Sequence, residues 1–471
     1  MKATTTNPLS NLNLTQSPPT SKLSKIGLSF TLTATLLCGL AVSTWAQNSA
    51  VTKIAAEQGF TVVPNVQTPI VLKTSPDAAC DLHAEDVSDR AHTLRLYANG
   101  DGYVKVHVKA KQESDEGGRV QLDCTAGNEV TRYPLHLRAS SSPTADMPAP
   151  QTVMPTPKGS QVLPALREGQ ARQLSDNDLA RLGYPARPDA AASPDRYAKW
   201  LDMVSQPITI LPSHQVSRSD ISHHPGGVQA GTSNIDSNNW SGFMAQGSER
   251  TYMEVSAMWS VPEIVGALSD NVTYSAFWVG LDGFSFRNLS VPDLVQAGTE
   301  QDYIDVLFFS FASYSAWTEL LPNQGTEQDV SLSPNPGDTF LVNVWIGNSG
   351  ATQDQNGGYG WFFLWDQTQG QAVRVATPLS GTHFNGYEAE WIMERPGLGG
   401  GSLAELSDYG LAYMYDAYAL TTKGNWVASG TAANWQLSLY NQGVNGSDNN
   451  LLSLAEPALT DSMWFFWFNF N

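Results

Sequence analysis

Tyr387-Glu388-Ala389-Glu390-Trp391-Ile392-Met393-Glu394-Arg395 is the stretch on which the fold turns. Read as a β-strand, its period of two puts Glu388, Glu390, Ile392 and Glu394 on one face. Tyr387, Ala389, Trp391 and Met393 fall on the other. Three carboxylates on one strand face are unlike a packed core. The pattern fits a solvated outer face, which is the commoner case and the expectation here, although periodicity alone does not choose. It also fits a concave face where partial burial and like-charged neighbours raise a carboxyl pKa into a range useful for acid–base chemistry.

Segments on both sides alternate in the same way: 253–261, 274–279, 306–312, 340–346, 361–365, 372–376 and 463–470. Residues 366–370 join two of them as a hairpin, and 403–409 is the one plausible helix. The expected architecture of residues 233–471 is therefore all-β, one large antiparallel β-sandwich. Twelve of the 14 Trp lie there, from Trp240 onward, as befits an aromatic-lined sheet protein.

Charge divides the chain at the same place. From Ser233 onward there are 5 Lys+Arg and 25 Asp+Glu, a net charge near −20, while the preceding half is near +1. So acidic a body argues against nucleic acid or an anionic membrane as partner. It suits a protein that works in acid, where carboxylates protonate and few bases remain to repel one another. The 3 Cys lie at 38, 80 and 124, and of the 8 His only His383 lies beyond 224. A Cys-based or His-rich catalytic or zinc site within the acidic half is thereby excluded.

Residues 1–46 read as a signal peptide. Lys22 and Lys25 precede an apolar run, and Thr44-Trp45-Ala46 places small residues at the −3 and −1 positions. The protein is expected to be secreted or periplasmic, with no membrane partner after cleavage. An exported chain then keeps Cys80 and Cys124, which most simply form one disulfide. Residues 47–138 carry short alternating strands and read as a small, Ig-like β-sandwich. Asn99-Gly100-Asp101-Gly102 looks like a hairpin turn there, and His107 and His136 fall on solvent faces. The Pro/Ser-rich stretch 139–161 reads as an extended linker. Residues 162–232 read as a helical pro-segment and processing region. Ser175 and Ser193 start two helices, Gly183 ends the first, and Tyr197, Trp200, Leu201 and Val204 form a stripe on the second. The stretch 213–232 is polar and Gly-rich, an exposed place for a processing cut.

Several turn-edged aromatic segments surround the carboxylate strand. Leu294-Val295-Gln296-Ala297-Gly298 holds one amide among small and apolar residues, an interior Gln or a neutral oxyanion donor. Trp317 and Glu319 share one strand face. In order, Asn239-Trp240-Ser241-Gly242, Trp259-Ser260-Val261-Pro262, Trp278-Val279-Gly280-Leu281-Asp282-Gly283, Leu294–Gly298, Ala316-Trp317-Thr318-Glu319 and Ala389–Pro396 closely resemble the glutamic peptidase (eqolisin) family. The resemblance spans about 234–470, and 174–212 is similar to the stretch before the catalytic domain in bacterial members. Residues 47–160 lie outside it and make an extra N-terminal β-domain.

The resemblance implies an acid endopeptidase with neither metal nor cofactor, acting on protein or peptide substrates. The family's catalytic pair falls on Gln296 and Glu390, and Trp278, Asp282, Trp317 and Glu319 match positions that bind substrate. Glu300 stands where a shorter Asp is usual. Glu390 would take the proton of the attacking water, and Gln296 would hold the oxyanion. A zymogen follows from the charge split, because the basic N-terminal half can dock on the acidic body. A monomer is expected. The competing reading is a secreted glycoside hydrolase or lectin-like carbohydrate-binding sandwich, in which Glu390 would need a second carboxyl rather than an amide.

Overall fold

The computed structural model describes residues 51–469, apart from 85–92, 225–227, 231–233, 267–271, 285–292, 307, 351–352, 381–383, 400 and 442–449. The signal segment 1–46 and His383 lie outside the described residues.

The carboxylate strand, Glu388–Glu394, lies inside a sheet. On one side it pairs antiparallel with Trp240–Gln246, on the other with Thr273–Asp282. The ladder continues through Leu294–Asp305 and Phe309–Leu321 to the short edge strand Gln328–Val330. A second layer is built on Tyr252–Ser260, flanked by Thr339–Gly347 and Leu411–Thr421, with Tyr359–Asp366 and Gln371–Pro378 beyond. Alternation sends Val279, Leu281, Val295, Ala297, Leu320, Trp391 and Met393 between the layers. There they join one apolar core with Val255, Ala257, Trp259, Phe340, Val342, Val344 and Phe362. The large sandwich expected from the sequence is present, and the hairpin at 366–370 is as expected.

The solvated outer face is not. Every residue of Glu388–Glu394 is buried, those of the acidic face included. Burying polar groups is costly unless they are paired or neutral, and the site is built around how this is managed. The helix expected over 403–409 is also absent. Glu405–Leu406 instead runs parallel to Thr273–Tyr274, and Ser407 N donates to Tyr274 O, so the sheet edge takes the amides a helix would have used.

In the small β-region, Val51–Ile54, Glu129–Ala139, Ser114–Ala126, Ala79–Ala84 and Leu94–Tyr97 form one sheet, with Gln58–Val62 added beside Glu129–Ala139. Cys80 and Cys124 face each other across two paired strands and form a disulfide. The hairpin expected at 99–102 is a corner instead. Leu94–Tyr97 pairs with Ala79–Ala84, but Tyr103–Ala110 crosses to pair with Thr68–Lys73. Asn99 Oδ1 accepts from the amides of Asp101 and Tyr103 to turn it. Tyr103–Ala110 then pairs with Phe309–Leu321 of the large domain, and Ile304, Val306, Phe309 and Phe311 complete the small region's core. This junction overturns the solvent-face position of His107. The ring is buried edge-on to Tyr314 and within 3.2 Å of Asn335 Oδ1, and burial, then the Lys105 charge, pull its pKa down to about 3.

The helices Asp176–Leu182 and Pro194–Val204 start at Ser175 and Ser193, with Gly183 left-handed at the first C-terminus. Their apolar side, including Leu179, Trp200 and Val204, packs with Tyr184 on Leu341, Trp345, Phe363 and Trp365. They sit on the outside of the second layer, away from the acidic face.

Gly298 sits between Trp278 and Trp317 in register. A Cβ there would come 2.1 Å from Phe277 O and 2.6 Å from Trp278 Cβ. Because neither atom can yield without moving a central strand, Gly298→Ala should cost at least the ~1–3 kcal/mol typical of overpacking. A denaturant midpoint unchanged from wild type would contradict this packing.

Candidate active site

Gln296 and Glu390 come from different strands and meet at one point. Both stand opposite Gly280, from its two sides. Adjacent strands lie about 4.8 Å apart, so the two backbones are about 10 Å apart across that glycine. Gly280 separates the amide from the carboxyl at a position with no room for a side chain. A Cβ there would lie 2.7 Å from the Trp278 ring and 3.3 Å from Gln296 Cβ.

Both side chains are fully buried. Neither carboxylate oxygen of Glu390 has a hydrogen-bond partner. Burial, followed by the charges of Glu388, Asp282 and Glu394, pushes its pKa well above the ordinary carboxylate range. It therefore holds its proton in this state. Gln296 Nε2 donates to Glu319 Oε2 at 2.8 Å, which fixes the amide, and to the main-chain oxygen of His223 at 2.8 Å. Glu319 is also buried, and burial above all pushes its pKa up to about 7, against the nearby His223 charge.

His223 belongs to a segment that the sequence reading placed in an exposed, polar stretch. Within it Arg218, Ile221 and His223 are buried. Gln215–Ser217 adds to the sheet edge at Gln328–Val330, and Ile221–Ser222 pairs with Gly397–Leu398. Between them Arg218 lies 3.0 Å from Asp302 and 3.8 Å from Glu327. Tyr97 of the small β-region donates to Asp220 at 2.8 Å, so that region also holds the segment. His223 itself stacks on Trp317 and reaches Glu394, Glu327 and Glu300. Burial pulls the imidazole pKa down, but the Glu394 charge, hydrogen bonds to Glu327 and Glu394 and the Glu300 charge outweigh it. The ring stays protonated well above its usual range.

Trp278, Trp317 and Glu319 thus join Gln296 and Glu390 on one face, with Trp240, Phe284, Leu294 and Ile392 as apolar walls. Trp278 Nε1 donates to Glu394 Oε2 at 2.8 Å. Asp282 has a different task here. Its carboxylate accepts from the amides of Asn385, Gly386, Tyr387 and Glu388, and so fixes the loop that leads into the Glu390 strand. Sequence reasoning missed Arg218, His223 and Glu327. Their signal was available: two bases with a buried-type isoleucine in a stretch beside an acidic body. The exclusion of histidine chemistry counted only the acidic half, and His223 enters from outside it.

Among the described residues, His223, Glu300 and Glu327 could hold a cation, with one ligand atom each all within 4.8 Å of one another. His223 and Arg218 already bring positive charge to that spot. The arrangement offers a neutral amide donor and a carboxyl on the two sides of one glycine, the two kinds of group that addition of water to a carbonyl requires.

No curated protein matches the sequence. Two structures of scytalido-glutamic peptidase, one with a transition state analog inhibitor and one with a peptide based transition state analog, are similar to this chain. A third is SCP-B, a member of the Eqolisin family, in complex with the tripeptide Ala-Ile-His. Each is 20% identical, covers 49% of this chain and 98% of its own, and gives a TM-score of 0.36. The model of the Peptidase A4 family matches residues 238–449, which hold every strand of the Gln296–Glu390 face, and over that stretch the chain is similar to that family of peptidases.

Proposed function

We propose that this peptidase is an exported acid endopeptidase, made in a latent form and using Glu390 and Gln296 as its catalytic pair. The observation that carries the reading is the shared position of the two residues across Gly280, one with unpartnered oxygens and the other aimed at a peptide carbonyl. In the reaction Glu390 takes a proton from water as its oxygen bonds to the carbonyl carbon. Gln296 Nε2 donates to the resulting oxyanion. Glu390 then returns the proton to the leaving nitrogen as the C–N bond breaks. Export is supported by the N-terminal apolar run and by the Cys80–Cys124 disulfide.

Latency follows from the same geometry. The segment 215–223, with its short strands Gln215–Ser217 and Ile221–Ser222, lies against Gln296 and Glu319, and Glu390, dry and protonated, cannot accept a proton from water. Removing the strand would admit water and let its pKa fall toward the usual range near ~4.3. Acid assists by neutralising Asp282, whose pKa burial, Asp293 and Glu388 hold well above its usual value, so that one like charge facing Glu390 is lost.

Glu390→Gln and Gln296→Ala should each lower hydrolysis of denatured casein in acid by about a hundredfold or more, the scale of losing a catalytic base or oxyanion donor. Both variants should keep the wild-type circular dichroism. Activity within a few-fold of wild type in either folded variant would refute the pair.

The buried carboxyls also set a stability profile. Glu254 and Glu319 are pushed up to about 7 and Asp302 to about 6, each mainly by burial. A carboxyl with a raised folded pKa favours folding below its unfolded pKa, and that benefit is lost as pH rises through the folded value. A shift of the Glu254 size corresponds to about 3 kcal/mol. The His223 contribution has the same sign, whereas Glu327, held low by Arg218 and His223 against its burial, favours folding until strong acid. The Tm of the Glu390→Gln chain, which does not digest itself, should be higher near about pH 5 than near about pH 8. A higher Tm at about pH 8 would contradict the burial account.

A further inference from the structure

A cavity of about 790 Å³ lies between the helix Pro194–Val204 and the outer face of the second layer, and neither Gln296 nor Glu390 lines it. Its floor is a row in register across four strands: Trp365, Leu341, Met258 and Tyr415. Helical spacing brings Arg196, Trp200 and Met203 to its roof, at i, i+4 and i+7, so a guanidinium heads the stripe that faces the sheet. The Arg196 side chain is only 10% exposed and lies 3.9 Å from Asp416. Its guanidinium stands over the rings of Trp426 and Tyr418, 4.1 and 5.0 Å from their centres. Asp416 is taken more closely by Lys199, at 2.5 Å. Among the described residues nothing accepts a hydrogen bond from the Arg196 guanidinium. Two further lining residues hold unused polar atoms. Asn343 Oδ1 and Trp365 Nε1 are buried without a partner. Glu254, also in the lining, accepts from Gln353 Nε2, and burial pushes its carboxyl up to about 7 against the Arg196 charge. In acid it is therefore neutral and leaves that charge standing.

We propose that this cavity binds the carboxyl-terminal end of a short apolar peptide, with its terminal carboxylate on Arg196 and its apolar side chains on the Trp365–Leu341–Met258–Tyr415 row. A guanidinium fork with free donors is matched by a carboxylate. A peptide unit supplies an N–H for Asn343 Oδ1 and a C=O for Trp365 Nε1, both of which cost stability while unpaired. A fatty carboxylate would satisfy Arg196 and the apolar row but neither of those atoms. The volume is that of a site for a drug-sized ligand, enough for a dipeptide or tripeptide. Hydrolysis of a protein leaves a new carboxyl terminus at every bond cut. The source of the ligand thus rests on the peptidase reading, whereas the binding site does not. One wall of the cavity is the helix and the other is the sheet. A bound peptide therefore favours the state in which the helical segment is docked, by mass action.

The test uses the full-length Glu390→Gln chain, which cannot digest the probes, in acid. The probes are N-acetyl-leucyl-leucine with a free carboxylate, the same dipeptide as its carboxamide, and octanoate. Binding is read by titration calorimetry and by the shift in Tm. The dipeptide acid should bind at one site and raise the Tm, and the carboxamide should bind at least about tenfold more weakly, the scale of a hydrogen-bonded charge. Arg196→Gln should bring the acid down to the level of the carboxamide. Met258→Trp, which fills the cavity from its floor, should abolish binding and keep the ligand-free Tm. It decides the matter even if Arg196→Gln fails to fold. Octanoate should bind more weakly than the dipeptide acid, and that difference should vanish in Asn343→Leu. Octanoate binding as tightly as the dipeptide acid would overturn the peptide assignment. No binding of any probe, equal binding of acid and carboxamide, or binding unchanged in Met258→Trp would overturn the site. Hydrolysis of casein by the wild-type chain reports on the peptidase reading separately, and neither of these results alters the other.

Discussion

Burying a carboxylate is unfavourable unless it is neutral or paired, and the central sheet buries a whole face of them. Glu300, Asp302, Glu319, Glu390 and Glu394 are all sealed from water. The fold meets the cost in two ways. Arg218 and His223 bring cations from the preceding segment to Asp302, Glu327 and Glu394. Glu390, which no cation reaches, keeps its proton. The segment 215–223 is thus held by the charges that it neutralises, and Glu390 is kept neutral by the same burial.

This explains why the charge split of the sequence coincides with a structural boundary. The acidic body depends on bases that lie just before it. The small β-region takes part: its strand Tyr103–Ala110 extends the large sheet, and Tyr97 holds Asp220 of the covering strand. The helices do not cover the cleft at all. They pack on the opposite layer, against Leu341, Trp345, Phe363 and Trp365.

Much of this was legible in the sequence because period-two alternation is a local property. The sandwich, the strand containing Glu390, the helix caps at Ser175 and Gly183 and the residues gathered around Gln296 could all be read. What could not be read depends on the second side of a strand. Alternation places Glu388, Glu390 and Glu394 together but does not say what covers them, and His107 looked exposed for the same reason. The corner at Asn99 and the strand at Glu405 depend on which distant edge offers free carbonyls. The segment 215–223 is short and polar, and partners 96 and 171 residues away reveal that His223 is buried.

The central claim is that burial under the strand keeps Glu390 protonated. The most direct measurement is the carboxyl vibrational difference spectrum between wild-type and Glu390→Gln full-length chains at neutral pH. It should be compared with the same difference after the residues before 224 are removed. The account predicts a protonated-carboxyl band assignable to Glu390 in the full-length chain. Once the cleft is open, that band should titrate away in acid, in the ordinary carboxylate range. An ionised Glu390 in the full-length chain at neutral pH, or the same titration with and without the strand, would contradict it.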